Sequence, residues 1–187
     1  MVESYLRQSP LAPLGLLARA AADADAGVTL CERPFRHQVN LRGDAAVAKA
    51  AGIALPTKPN TASENALWLG PDEWLITGDT DPAPALREAL KGLHATVTDV
   101  SEARAVIGLS GPHARDVLAK GCPLDLHPRE FGLGRCAQSI LAQAAVILHQ
   151  KDAAPTYDIY VARSYAGYLW AWLEDAAAEY GLAVSAG

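Results

Sequence analysis

The sequence is poor in the features that would announce chemistry or a membrane. Positive charge is not in excess: 16 Lys and Arg stand against 21 Asp and Glu, for a net charge of −5. A nucleic-acid partner needs a basic face that displaces counterions from phosphate, so the charge balance argues against DNA and RNA. No run of about 18 apolar residues occurs, so no membrane-spanning helix is expected. The three cysteines, Cys31, Cys122 and Cys136, are odd in number and far apart. They form no CxxC pair and no disulfide framework, which reads as reduced thiols in a cytoplasmic protein. The opening MVESYLRQSPLAPLG lacks a basic stretch followed by an apolar core, so no secretory signal is expected. Phosphate-cradling loops are missing as well: there is no GxGxxG after a strand and no GxxxxGKS or GxxxxGKT. The GxSxG elbow of a hydrolase is also missing. No flavin, nicotinamide or metal is expected to be held by this chain alone.

What is present is an ordinary folding inventory. The chain has 187 residues, 50% hydrophobic and 20% charged, enough for one domain or two small lobes sharing a core. Residues 1–26 read as an extended arm. SPLAPLG sets two prolines and a glycine among three leucines, which disfavours regular structure yet is too apolar to stay solvated. Such an arm packs on its own domain or on a partner chain.

Beyond the arm one pattern occurs twice. Phe35, His37, Val39 and Leu41 alternate as a half-buried strand. Asp44 can cap a helix that ends at Gly52. ALWLGPDEWLITG predicts a hairpin around Gly70-Pro71-Asp72-Glu73. Asp81-Pro82 opens a helix with Leu86, Ala89, Leu90 and Leu93 on one face, and a strand follows at 95–98. In the second half, a strand at 105–109 leads to a helix at 112–120. An apolar strand around 140–148 is followed by an alternating strand at 157–161, a helix over 165–180, and a short LAV strand. Each half reads β-α-β-β-α-β. The expected fold is therefore α+β, two ferredoxin-like (βαββαβ) units, with lobes at 27–99 and 100–187.

The densest set of reactive side chains is SGPHARDVLAKGCPLDLH, residues 110–127. Pro112 suits a first helical position, Ala114, Val117 and Leu118 make a buried face, and Gly121 suits a left-handed helix end. His113, Asp116, Cys122, Asp125 and His127 remain. Cys122 follows a helix C-terminus, whose partial negative charge disfavours a thiolate. The two histidines are too far apart, with a proline between them, for a compact zinc spacing. The segment is read as strand, helix and turn, with no catalytic residue. Asp99 and Arg104 could form a ligand-binding pair or a loop brace. Trp68 and Trp74 on the hairpin are core residues or docking residues. Trp170 and Trp172 lie two apart on one helix and so on different faces, which suggests that one of them meets another element or a partner.

Several stretches together are distinctive: SPLAPL near the start, LRG at 41–43, LPTKPN at 55–60 and LWLGPDEWLI at 67–76. They continue with TDVSEARAVIGLSGPHARDVLAKGCPLDLHP at 98–128 and YDIYVARSYAGYLWAWLEDAA at 157–177. In this order the sequence resembles the gamma subunits of heterotetrameric sarcosine oxidases, within the wider aminomethyltransferase (glycine-cleavage T-protein) superfamily. Asp99-Val100-Ser101 followed by Ser110-Gly111 resembles an early stretch of that superfamily, which makes Asp99 and Arg104 candidates for a vestigial ligand pair. The superfamily's catalytic aspartate signature has no counterpart in LAQAAVILHQ, 141–150. Lys120-Gly121-Cys122 echoes a folate-binding motif but continues as Pro-Leu-Asp. The resemblance implies a non-catalytic subunit with no cofactor of its own, joined to alpha, beta and delta subunits and mainly to alpha. FAD, FMN, NAD, zinc and tetrahydrofolate are then expected in those partners, in a complex that oxidatively demethylates sarcosine to glycine. The alternative is a stand-alone folate-binding or one-carbon-transfer protein.

Overall fold

A computed structural model of the chain describes residues 7–20 and 25–185. Residues 1–6 and 21–24 of the expected arm lie outside the described residues. The first unit contains β2 (His37–Arg42), α2 (Ala45–Ala50), β3 (Ala66–Gly70), β4 (Glu73–Gly78), α3 (Ala83–Ala89) and β5 (Thr96–Asp99). Its four strands run in the order β3-β4-β2-β5, all neighbours antiparallel, which is the ferredoxin-like arrangement. Local chemistry sets its elements. The Asp44 carboxylate accepts hydrogen bonds from the amides of Ala46 at 2.9 Å and Val47 at 3.2 Å, capping α2. Asp81 accepts from Ala83 at 2.9 Å and starts α3. Pro71 precedes Asp72 at φ 58°, the left-handed residue that the β3–β4 turn requires. Leu93 lies beyond the end of α3 and is exposed, so the predicted helix face is one turn too long.

The second unit uses β6 (Arg104–Ser110), α4 (Ala114–Ala119), β8 (Ala144–Asp152), β9 (Thr156–Ala162), α5 (Ala166–Ala177) and β10 (Leu182–Ser185). Two strands that the pattern did not show join it. β1 (Val28–Glu32) inserts between β10 and β6, parallel to the first and antiparallel to the second. β7 (Cys136–Leu141) adds an edge beside β8, so the order is β10-β1-β6-β9-β8-β7. Thus β1 precedes the first unit in sequence but pairs within the second. The apolar strand expected at 140–148 is a hairpin, β7–β8, whose turn carries Ala142 at φ 53°. Alanine there gives none of the Gly or Asn signal that marks such turns. Phe35, expected within a strand, lies in the β1–β2 turn at φ 59°.

The helix side of the six-stranded sheet holds the main core. Trp170, Leu169 and Leu173 of α5 and Val117 and Leu118 of α4 pack there on Ile107, Leu109, Ile159 and Val161. The described part of the arm closes this core. A short α1 (Leu16–Arg19) follows Pro13, and Leu11 and Leu16 are buried in the main cluster. Burying such leucines contributes roughly 2 kcal/mol each. The arm thus packs on its own chain. A smaller core lies between α2, α3 and the four-stranded sheet, around Val39, Leu41, Val47, Trp74 and Leu86. The free faces of the two sheets meet through Leu67, Leu75, Val106, Cys136, Ile147 and Tyr160. Among the described residues no helix is long and apolar enough to cross a membrane.

Candidate functional site

The 110–127 segment is occupied by its own architecture. Gly111 has φ 111°, and a Cβ there would strike Gly27 O at 2.5 Å, so only glycine lets this turn lie against the start of β1. His113 accepts or donates at Nδ1 to Asp116 at 2.8 Å and stacks on Tyr180 with ring centroids 4.6 Å apart. Gly121 does not adopt the left-handed conformation expected of it. Its need is space: a Cβ would meet the Trp172 ring at 2.6 Å. Cys122 is buried 3.9 Å from the Ser139 hydroxyl. Asp125 accepts from the His127 amide at 2.9 Å, and the His127 ring accepts from the Arg129 amide at 3.3 Å. Asp125 and His127 brace a turn, His113 and Asp116 pair at the start of α4, and Cys122 is packed away. No three of the described His, Cys, Asp and Glu residues converge as metal ligands.

Asp99 and Arg104 are not brought together. Asp99 accepts hydrogen bonds from Ser101, its amide at 2.9 Å and its hydroxyl at 2.6 Å, and these bonds hold the carboxyl below its ordinary range. It braces the β5–β6 turn and is exposed. The Arg104 guanidinium makes no hydrogen bond or ion pair among the described residues, and partial burial lowers its pKa. The main-chain carbonyl of Arg104 is the part used structurally, accepting from Gln38 Nε2 at 3.1 Å.

The tryptophans divide by exposure. Trp170 is sealed in the main core and Trp74 in the smaller one, its Nε1 donating to Pro56 O at 2.7 Å. Trp68 and Trp172 are half-buried. Trp172 covers Gly121, and Trp68 edges a cavity between α2 and the β3–β4 hairpin.

The polar concentration that sequence reasoning missed runs across the face of the larger sheet that meets the smaller one. Register places Ser185, Cys31, Gly108, Asp158, His149 and Cys136 in one row over six strands. Asp158, 3% exposed, forms an ion pair with Arg33, whose Nε lies 2.6 Å from the carboxylate. Lys151 Nζ stands 3.9 Å from its other oxygen. Gly108 makes the Arg33–Asp158 pair feasible. A Cβ on Gly108 would overlap Cys31 Sγ and crowd Arg33 Nε at 3.2 Å, blocking the path of the guanidinium across β6. Burial pushes the Cys136 thiol up to about 11 and the Cys31 thiol upward. Burial also pulls His149 down to about 4, helped by the neighbouring Lys151 charge. These thiols are protonated and inert as nucleophiles near neutrality. The one sequence signal for the row was Asp158 itself, a carboxylate inside the apolar alternation Tyr157-Ile159-Val161. Both faces of β9 are buried, so an acid there must be paired.

The sequence profile described as Sarcosine oxidase, gamma subunit family matches residues 40–179. The chain belongs to the sarcosine oxidase gamma subunit family. Sarcosine oxidase subunit gamma of Corynebacterium sp. (strain U-96) is 38% identical over 198 residues, covering 98% of this chain and 96% of that protein. Sarcosine oxidase subunit gamma of Arthrobacter sp is 40% identical over 162 residues, covering 79% of each. Among solved structures, a chain of heterotetrameric sarcosine oxidase from Corynebacterium sp. U-96 in complex with pyrrole 2-carboxylate superposes with TM-score 0.83. It is 36% identical, with 94% of this chain and 97% of that one covered. The glycine cleavage system aminomethyltransferase T from Bartonella henselae matches with TM-score 0.72 at 16% identity, over 97% of this chain and 60% of that one. That likeness shows a shared fold, the one built from ferredoxin-like units. The family signatures quoted from the sequence map onto structural duties: LGPDEWL is the β3–β4 hairpin, and SGPHARDVLAKG is the turn, α4 and the seat of Trp172.

Proposed function

We propose that the chain works as the gamma subunit of a heterotetrameric sarcosine oxidase, supporting assembly of the complex without taking part in the chemistry. One observation carries the reading. A relative 36% identical, matched over 94% of this chain and 97% of its own length, is a chain of a heterotetrameric sarcosine oxidase. The side chains support it physically. His113 and Asp116 pair with each other, Asp125 and His127 hold a turn, Cys122 is buried, and in the buried row Asp158 forms an ion pair with Arg33. In this reading the partners are alpha, beta and delta subunits, with alpha making most of the contact. FAD, FMN, NAD, zinc and tetrahydrofolate reside in those partners, and the complex oxidises sarcosine to glycine with tetrahydrofolate accepting the one-carbon unit. The half-exposed Trp68 and Trp172 are the tryptophans of this chain best placed to meet a partner.

Co-expression tests it. A tagged copy produced with its three partner chains is expected to retain all three at equal stoichiometry. Recovery of the tagged chain alone, beside an active oxidase lacking it, overturns the reading. Tetrahydrofolate titrated into the isolated chain discriminates the alternative: micromolar binding supports an independent folate-handling protein, and no binding supports the subunit.

A further inference from the structure

We propose that the cavity where the arm meets the β1–β2 and β5–β6 turns receives an aspartate or glutamate side chain of a partner subunit, paired by Arg104. The apolar groove beside it then takes a neighbouring apolar side chain of the same partner segment. This site rests on the subunit reading and gives it a surface. Five of the chain's 16 Lys and Arg line the cavity, Arg7, Arg33, Arg36, Arg104 and Arg163, against two carboxylates, Glu32 and Glu102. On a chain of net charge −5 this is a local excess of the opposite sign. The pairing within it is incomplete. Arg33 and Arg36 meet Asp158 at 2.6 Å and Asp79 at 2.5 Å. Arg7 and Arg163 share the one carboxylate of Glu102, and Glu32 accepts from the Ser9 hydroxyl. Arg104 makes no hydrogen bond or ion pair among the described residues. Glu73, the anion whose charge reaches it, is already bonded to Asn40 at 2.8 Å and Arg42 at 2.9 Å.

Size and surroundings decide what kind of anion fits. The cavity measures about 20 Å³, room for about one water-sized group. The end of a carboxylate side chain fits there, and a ligand with several phosphates does not. Arg104 is half-buried, and burial lowers its pKa. A carboxylate meeting it is therefore paired where water screens weakly. The planar guanidinium also matches a carboxylate with two parallel N–H bonds. Beside the cavity lies an apolar groove of about 460 Å³ that shares Arg7, Ser9, Glu32, Pro34 and Phe35 with it. Leu17, 81% exposed, and Phe35, 47% exposed, line this groove. Phe35 stands at φ 59°, a conformation costly for a bulky residue, with the Arg7 guanidinium 4.9 Å from its ring centroid. Arginine beside exposed aromatic surface is the composition enriched at interface centres. A free anion would use the arginines and leave the groove open. A chain segment carrying an acidic and an apolar side chain uses both.

The test uses the four-chain complex, assembled with the wild-type chain, Arg104→Gln or Phe35→Ser, and follows release of this chain on dilution by native mass spectrometry. The Arg104 guanidinium holds no bond within the chain, so the free Arg104→Gln variant is expected to unfold at the wild-type denaturant midpoint. In the complex it is expected to be retained about thirtyfold more weakly, and Phe35→Ser about tenfold more weakly. Raising the salt from about 0.1 M to about 0.5 M should weaken the wild type and narrow its margin over Arg104→Gln. Photoreactive benzoylphenylalanine in place of Phe35 is expected to cross-link to a partner peptide that contains an aspartate or glutamate. Retention of Arg104→Gln equal to the wild type, cross-links confined to this chain, or cross-links to a partner peptide without an acidic residue each overturn the site and leave the subunit reading intact. Failure of the wild-type chain to enter the complex overturns both.

Discussion

The two units share one connection order, yet they solve the burial problem differently. The first stops at four strands and two short helices, leaves β5 largely exposed, and relies on capping and turn chemistry at Asp44, Asp81 and Asp72. The second recruits β1 and β7 from outside the repeat, widens to six strands, and buries Leu11 and Leu16 of the arm and the apolar face of the long helix α5. A repeated topology thus does not imply repeated energetics. The wide unit carries the core, and the narrow one is held to it through Leu67, Leu75 and their partners across the sheet faces.

Substitutions that strike the two units differently break or sharpen that contrast. The largest effect is expected from Trp170→Ala. Emptying a fully buried indole site in the wide unit should cost about 4 kcal/mol, seen as a single cooperative loss in chemical denaturation. Asp158→Asn comes next, because it leaves Arg33 partly buried without its charge partner. It should destabilise by about 3 kcal/mol in the same measurement.

Acid stability gives a third comparison. His149 has a folded pKa of about 4 against an ordinary value of 6.5, so between these pH values the unfolded chain binds more protons than the folded one. Stability therefore rises with pH across that window and is fully present above it. On acidification through the window about 3 kcal/mol is lost. Unfolding curves for the wild type and His149→Gln at pH 7 and pH 4.5 should show a shallower acid loss in the variant. The smallest effect is expected in the narrow unit. Asp44→Ala removes the α2 cap and should cost about 1 kcal/mol, with faster amide exchange confined to residues 45–51.

The repeated pattern was legible because apolar residues alternate along the strands and form stripes on the helices. Val39 and Leu41, Ile107 and Leu109, and Leu169 and Leu173 all lie where that logic puts them. β1 escaped because VTLCE is short and follows an irregular arm. β7 escaped because its turn is made by Ala142, a residue with no turn preference. Partner strands far away in sequence decide both, and no local pattern encodes them. The family signatures were legible as lineage. The Asp158 row was not, because Ser185, Cys31, Gly108, Asp158, His149 and Cys136 come from six separate strands and meet only through register. The Asp99–Arg104 pairing suggested by proximity in sequence dissolves because Ser101 captures the carboxylate within its own turn.

The account's central claim is that this chain serves assembly. Its most direct test is a drop-out experiment. The three partner chains are produced with and without it, and the native mass and sarcosine-dependent oxidation of each preparation are measured. The account predicts that omission leaves incomplete particles with depressed oxidation and that adding the purified chain restores a four-chain particle. A fully active complex of unchanged composition formed without it would contradict the account.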